Sequence, residues 1–268
     1  MKMADQTFTV SEATFEGGSM RYLSAGEGER YAVILQGWAT NHEVYSSIIS
    51  ELSARYKVIF PLFPGFGNEK DPAEPMTVSD YAELTNGLLR HLGIESADFF
   101  CHSYGGRVFF KLCDHPSRFT KPSRVILCDA AGIKPRRGFL SRLKSRAVSL
   151  GGKLLATPVM RFIYPDLLAE LRAKSGSEDY RNATPVMRRT LILAVNEDLR
   201  DIISKVDAPT LILWGANDTA VPLSDAYFME GEIADSAVVV FGQSGHFPFA
   251  TEWKAFRAVM SSFLDSPQ

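Results

Sequence analysis

A serine set in His102-Ser103-Tyr104-Gly105-Gly106 is the residue of this chain best placed to do covalent chemistry. The apolar run Asp98-Phe99-Phe100-Cys101 leads into it as a short buried strand, and Arg107-Val108-Phe109-Phe110-Lys111-Leu112 leads out as a helix. A serine on such a sharp strand-to-helix turn is lifted clear of the sheet, and the amides opening the helix point at the oxygen of a carbonyl under attack. Tight turns of this kind demand small neighbours. Glycines inside an ordinary helix would only cost stability. A serine hydroxyl is a weak nucleophile, so it needs a base within hydrogen-bond reach and a third group to orient that base.

Five histidines compete for the base. His246 sits in Gly242-Gln243-Ser244-Gly245-His246-Phe247, on a glycine-flanked loop just after the strand-like Ala237-Val238-Val239-Val240-Phe241. His42 lies near the loop that follows Tyr31 to Gln36 and is the rival. His102 adjoins the serine but should point elsewhere on the turn. His91 and His115 fall on or at the end of helical segments. Two carboxylates compete to orient the base. Asp218 ends Leu211-Ile212-Leu213-Trp214-Gly215-Ala216-Asn217-Asp218, at the loop end of an apolar strand. Asp129 also follows a strand and could approach from a different loop, or simply cap the turn Ala130-Ala131-Gly132.

The chain order Ser, Asp, His is that of the α/β-hydrolases, whereas chymotrypsin-like and subtilisin-like enzymes use other orders. With these motifs, nearly the whole chain resembles the α/β-hydrolase fold with a helical cap, in the group of esterases, carbon–carbon hydrolases and perhydrolases. The resemblance implies Ser103 as nucleophile, His246 as base and Asp218 as acid. It also implies an oxyanion hole made from the backbone amides of Tyr104 and Trp38. The family has a His-Gly pair before the second donor where this chain has Gln36-Gly37-Trp38, which puts the fine geometry of that loop in question. It usually has glycine two residues before the serine, where this chain has Cys101. Pro64-Gly65-Phe66-Gly67 resembles the family's Pro-Gly-x-Gly turn, a structural feature.

By this resemblance the expected activity is hydrolysis of a small or medium acyl ester through an acyl-enzyme, with no metal or organic cofactor. A carbon–carbon hydrolase of ring-cleavage products would share the triad and would need polar groups such as Arg188 or Arg189 facing the pocket. A perhydrolase and a non-catalytic ligand receptor of the same fold are further alternatives. An aspartate at position 103 would have implied dehalogenase or epoxide hydrolase chemistry; the serine argues against both.

The elements that must hold these residues follow from the hydrophobic pattern. Thr7 to Phe15 and Met20 to Ala25 read as strands split by Gly17-Gly18. Tyr31 to Gln36, Lys57 to Phe60 (closed by Pro61), Arg124 to Asp129, Thr210 to Trp214 and Ala237 to Phe241 are further strands. Val44 to Arg55 has helical spacing, with Val44, Ile48, Ile49 and Leu52 on one face. Thr77 caps a helix that runs to about Leu92 and ends at Gly93, with Asp80 completing the cap. Glu252 to Leu264 reads as a final helix. Strands alternating with helices imply a parallel sheet with right-handed crossovers, and the fold resemblance sets it at eight strands, mostly parallel. The alternation breaks from about Ile133 to Thr190. The expected organisation is therefore core 1–132, cap 133–190 and core 191–268, with a helix near Arg188 returning the chain to the core.

Composition bounds the rest. A chain of 268 residues at 46% hydrophobic supports one substantial core plus an insertion. A net charge of −2 argues against a nucleic-acid partner. Cys101, Cys113 and Cys128 lie in apolar segments and suggest free thiols in a reducing compartment. Without a leader-like N-terminus or a membrane-spanning run, the expectation is a cytoplasmic protein acting on a small molecule. Oligomeric state is not legible. From Lys134 to Arg161 the basic residues have no acidic neighbour before Asp166, and Phe139, Leu140, Leu143, Ala147 and Leu150 fall among them at helical spacing. Such a stretch reads as a solvated cap face over the pocket, with contact to an anionic surface or acidic substrate as the alternative.

Overall fold

The computed structural model describes residues 8–134 and 178–266. Eight strands form one sheet: β1 (Phe8–Phe15), β2 (Gly18–Ala25), β3 (Arg30–Leu35), β4 (Tyr56–Leu62), β5 (Ser96–His102), β6 (Lys121–Cys128), β7 (Thr210–Gly215) and β8 (Ser236–Phe241). Their order is β1-β2-β4-β3-β5-β6-β7-β8. The β1–β2 and β2–β4 pairs are antiparallel, and every pair from β4–β3 to β7–β8 is parallel. This is the α/β-hydrolase fold, mostly parallel and eight-stranded as the sequence implied.

The central strands are apolar throughout because both sheet faces are covered. Successive residues alternate between two cores. Val33, Leu35, Phe99, Cys101, Val125 and Leu127 join the cluster on one face. Ala32, Ile34, Phe100, Ile126 and Cys128 join the cluster on the other. The first face is covered by α2 (Val78–His91) and α3 (Tyr104–Asp114), through Tyr81, Leu88, Val108 and Phe109. The second is covered by α1 (Ser46–Ser53) and α9 (Trp253–Asp265), through Ile48, Ile49, Phe256 and Met260. The remaining described helices are α4 (Glu178–Asn182), α5 (Pro185–Asn196), α6 (Arg200–Ile203), α7 (Leu223–Glu232) and α8 (Pro248–Thr251).

The anticipated helix start at Thr77 is a full capping box, with Asp80 N–H on Thr77 Oγ1 at 3.2 Å and Thr77 N–H on Asp80 Oδ2 at 2.6 Å. Gly93 ends that helix at φ +68°. Three expectations need correction. Val44 does not share the buried face of α1. It lies in a 3-10 turn (His42–Tyr45) and is 38% exposed, because α1 starts only at Ser46. Pro61 does not close β4. It sits within the strand, past the last β3 partner at Ile59, where its missing N–H breaks no parallel ladder bond. The returning helix starts at Pro185, not near Arg188, because Thr184 caps it by accepting from Met187 N–H at 3.4 Å and Pro185 takes its first turn.

Most of the expected cap, residues 135–177, lies outside the described residues, and with it the basic stretch after Lys134. Among the described residues no helix is long and apolar enough to cross a membrane. Cys101 and Cys128 are buried free thiols and Cys113 is a partly buried one.

Candidate active site

Ser103 stands between β5 and α3 with φ 50° and ψ −114°, a conformation that costs a non-glycine residue free energy. The surroundings impose it. Ser103 N–H donates to Cys128 O at 3.1 Å, and Ser103 O accepts from Ala131 N–H at 2.8 Å and Gly106 N–H at 3.0 Å. A Cβ on Gly105 would lie 2.1 Å from Leu35 O, so helix α3 can approach β3 this closely only with glycine there. Cys101 fits in the place of the more usual glycine, fully buried, and its thiol is pushed well above its ordinary pKa by burial.

Three loops at the carboxyl ends of parallel strands meet at this turn. Ser103 Oγ lies 2.9 Å from His246 Nε2, and His246 Nδ1 lies 2.7 Å from Asp218 Oδ2. An ionised Asp218 can only accept, so Nδ1 carries the hydrogen and Nε2 is free to accept the serine proton. Asp218 Oδ1 accepts from Ala220 N–H at 2.7 Å and Val221 N–H at 3.0 Å. Burial alone would raise the Asp218 pKa. The hydrogen bond and charge of His246, with these two amides, outweigh it and hold the carboxyl below its ordinary value.

Asp129, the rival acid, is also drawn into the site. It is fully buried, has φ 44°, and accepts from Gly215 N–H at 2.9 Å through Oδ1. A ligating atom from each of Asp129, Asp218 and His246 lies within 4.8 Å of the other two. This is the metal-ligand-like cluster found among the described residues, and each member already has a protein hydrogen-bond partner. Burial, opposed by the Gly215 amide and reinforced by the Asp218 charge, raises the Asp129 carboxyl to about 7. The other rival, His42, packs against the ring of Phe8, and Ser103 Oγ bonds to His246 instead. His115 pairs with Glu83, and His91 lies beside Phe15.

His102 points away from the serine side chain. Its Nε2–H donates to the backbone carbonyl of His246 at 2.8 Å, which leaves Nδ1 to accept from the Tyr45 hydroxyl at 2.9 Å. Tyr45 in turn accepts from Gly37 N–H at 2.7 Å. Burial, with the nearby positive charge of His246 when protonated, lowers the His102 pKa to about 3, so the ring is neutral. The adjacent loop is held again by Thr40 Oγ1–H on Gly37 O at 2.8 Å. Gln36, in the place of the family's histidine, is buried and donates its amide to Thr40 O at 3.0 Å.

Trp38 follows β3 on this loop and Tyr104 opens α3, so the Tyr104 amide is among those with no intrahelical acceptor. Their rings contact each other and Phe66, at centroid distances of 5.6 Å and 4.9 Å for Trp38. A cavity of about 550 Å³ opens over Ser103 and His246. Trp38, Tyr104 and Phe247 line it, whereas Tyr45, Phe63 and Phe249 are core. Leu191, Ala194 and Val195 of α5 add an apolar side, and Arg107 and Asp225 a polar one. Arg107 was not singled out by the sequence. It is 4% exposed and donates to Glu197 O at 3.0 Å, tying α3 to the end of α5. Neither Arg188, which donates to Arg181 O, nor the exposed Arg189 is among the described residues lining this cavity.

Known proteins share this architecture. A pimeloyl-[acyl-carrier protein] methyl ester esterase of Proteus mirabilis is 26% identical over 249 residues, covering 85% of this chain and 90% of that one. A solved esterase from Exiguobacterium antarcticum superposes with a TM-score of 0.73 at 24% identity, covering 96% of this chain and all of that one. A solved enol-lactonase from Burkholderia xenovorans LB400 gives 0.71 at 21% identity, again over 96% of this chain and all of that one. The model of the alpha/beta hydrolase family matches residues 32–259, most of the chain, and the protein belongs to that family.

Proposed function

We propose that the protein is a serine hydrolase that cleaves carboxylic esters with a small or medium acyl group. Ser103 Oγ attacks the ester carbonyl while His246 Nε2 takes its proton. Asp218 keeps the imidazole in the accepting tautomer and offsets the charge that forms on it. The Tyr104 and Trp38 amides receive the oxyanion. His246 then returns the proton to the leaving alcohol, and an acyl-enzyme remains on Ser103. Water repeats the sequence: it loses a proton to His246, attacks the acyl carbon, and releases the acid as Ser103 regains its proton.

The observation that carries this reading is the relay Ser103 Oγ, His246 Nε2, His246 Nδ1, Asp218 Oδ2, with both links within 2.9 Å. The esterase and enol-lactonase names among its relatives agree with cleavage at an acyl carbon. The test is labelling with a fluorophosphonate, together with hydrolysis of p-nitrophenyl esters of graded acyl length beside ring-cleavage dienones. Wild-type protein should label and hydrolyse the shorter esters, and Ser103→Ala should do neither while staying folded. Hydrolysis surviving in Ser103→Ala, or wild-type protein that does not label, overturns the reading; the second result would favour a ligand receptor.

A further inference from the structure

The triad reading uses one of the two buried carboxyls at this site, and the second has a place of its own. Asp129 is the first residue after β6, and its left-handed backbone turns the side chain toward the loop after β7. Its own N–H donates to Leu213 O at 3.0 Å. Its Oδ1 holds the N–H of Gly215, and Gly215 O accepts from Asp218 N–H at 3.2 Å. Asp129 therefore clamps the turn that presents Asp218.

Two carboxyls within 4.8 Å of each other in a buried site disfavour double ionisation, and a single shared proton relieves the repulsion. Hydrogen bonding decides who keeps it. Asp218 accepts two amides on Oδ1 and the imidazole N–H on Oδ2, three donors that stabilise its anion. Asp129 accepts one amide and a weak contact from the Cys128 thiol at 3.4 Å. The charge belongs on Asp218 and the proton on Asp129.

Resting on the triad reading, we propose that Asp129 is a positioning residue: its carboxyl is held neutral and donates its proton to Asp218, fixing that carboxylate toward His246 without adding a second charge. The raised Asp129 carboxyl and the lowered Asp218 carboxyl agree with this division. The other titratable groups around the pair do not supply a competing charge at neutral pH. Burial pushes the Cys128 thiol well up, beyond ionisation, and keeps His102 neutral. His246 is the one partner that acquires charge, during turnover. As pH rises through about 7, Asp129 loses its proton. The second negative charge then favours the protonated imidazole, which cannot act as base.

Asparagine can copy the neutral acid, accepting from Gly215 through its oxygen and donating to Asp218 through its nitrogen. Asp129→Asn should lower kcat by only about threefold, and Asp129→Ala, which loses both bonds, by about a hundredfold. The pH profile of kcat/KM for Asp129→Asn should reach its plateau at a lower pH than wild type. Infrared difference spectra, taken in a Ser103→Ala background so that turnover is not involved, should show a protonated-carboxyl C=O band below neutral pH. That band should fade as pH rises through about 7 and be missing when Asp129→Asn is added. Absence of an Asp129-dependent band, or superimposable pH profiles, overturns the shared proton. If Asp129→Asn cripples the enzyme and Asp218→Asn does not, the band notwithstanding, the triad acid itself is misassigned and the positioning role falls with it.

Discussion

The imidazole of His102 bonds to the backbone of His246, Nε2–H to carbonyl oxygen, at 2.8 Å. The residue before Ser103 thus holds the loop that carries His246. Through Tyr45 the same ring reaches Gly37, one residue before Trp38. Every hydrogen in this chain has one direction: the His246 carbonyl fixes the His102 tautomer, the tautomer makes Tyr45 a donor, and Tyr45 oxygen is left to accept from Gly37. The loops that carry His246 and Trp38 are parts of one hydrogen-bonded unit running behind Ser103.

Tyr45→Phe tests that unit. The ring keeps its packing against Phe60 and Phe249, and only the hydroxyl is lost. The buried Gly37 amide and His102 Nδ1 then lack partners, at a cost of about 1–3 kcal/mol. If the strain is met by movement of the Trp38 loop, kcat falls by about ten- to a hundredfold while KM changes little. Steady-state kinetics on a p-nitrophenyl ester checks this. An unchanged kcat with a lower melting temperature would make the network structural only.

Gly105 and Gly231 should respond in opposite ways to alanine. At Gly105 the new Cβ meets a backbone oxygen of β3 at 2.1 Å, which cannot swing aside. Gly105→Ala should destabilise by more than about 3 kcal/mol and abolish activity. At Gly231, near the end of α7, nothing lies within 4 Å of the new atom. Gly231→Ala should gain up to about 1 kcal/mol with activity unaffected. Urea midpoints of the two purified variants decide both claims.

The elbow and the order of its partners were legible because each needs a local signal: glycines after Ser103, and strand-end loops carrying Asp218 and His246. The glycine-flanked loop after the last strand already favours His246 over His42 in sequence; three dimensions add that His42 is turned against Phe8 in β1. In sequence Asp129 reads as an acid or as a turn cap, but its approach to within 4.8 Å of Asp218 depends on β6 and β7 being neighbours, far apart in sequence. The Tyr45 and Arg107 roles are likewise products of long-range packing. Both looked like ordinary core or helix-surface positions. Helix α7 escaped the sequence pattern because it buries only Ala226 and Met229 among its ten residues, too narrow a stripe to register as periodic.

Asp218→Asn should lower kcat by about four orders of magnitude. An asparagine can present its NH₂ to His246 Nδ1, which would place the imidazole hydrogen on Nε2, facing Ser103 Oγ. The ring could then not accept the serine proton. Fluorophosphonate labelling should slow in parallel, since it needs the same proton transfer. A variant that labels at the wild-type rate would remove Asp218 from the relay.

The two buried groups His102 and Asp129 should pull stability in opposite directions with pH. The folded pKa of His102, about 3, lies below its unfolded value of 6.5. Its neutral ring therefore contributes stability that is full above about 6.5 and is lost as pH falls toward 3. Asp129 has a folded value of about 7 against an unfolded value near 3.8. Its neutral carboxyl contributes stability that is full below the unfolded value and is lost as pH rises to about 7. Between roughly pH 4 and 6.5 each group changes unfolding free energy by up to ~1.4 kcal/mol per unit, with opposite sign, so their sum is nearly flat. Removing one should expose the other. His102→Gln, which cannot take a proton, should gain stability relative to wild type as the solution is acidified through this window. Asp129→Asn should lose stability relative to wild type over the same window, and the double variant should track the wild-type slope. Urea midpoints measured in steps across the window read all four slopes, and two single variants that slope the same way would show that one of these groups is not buried in its neutral form.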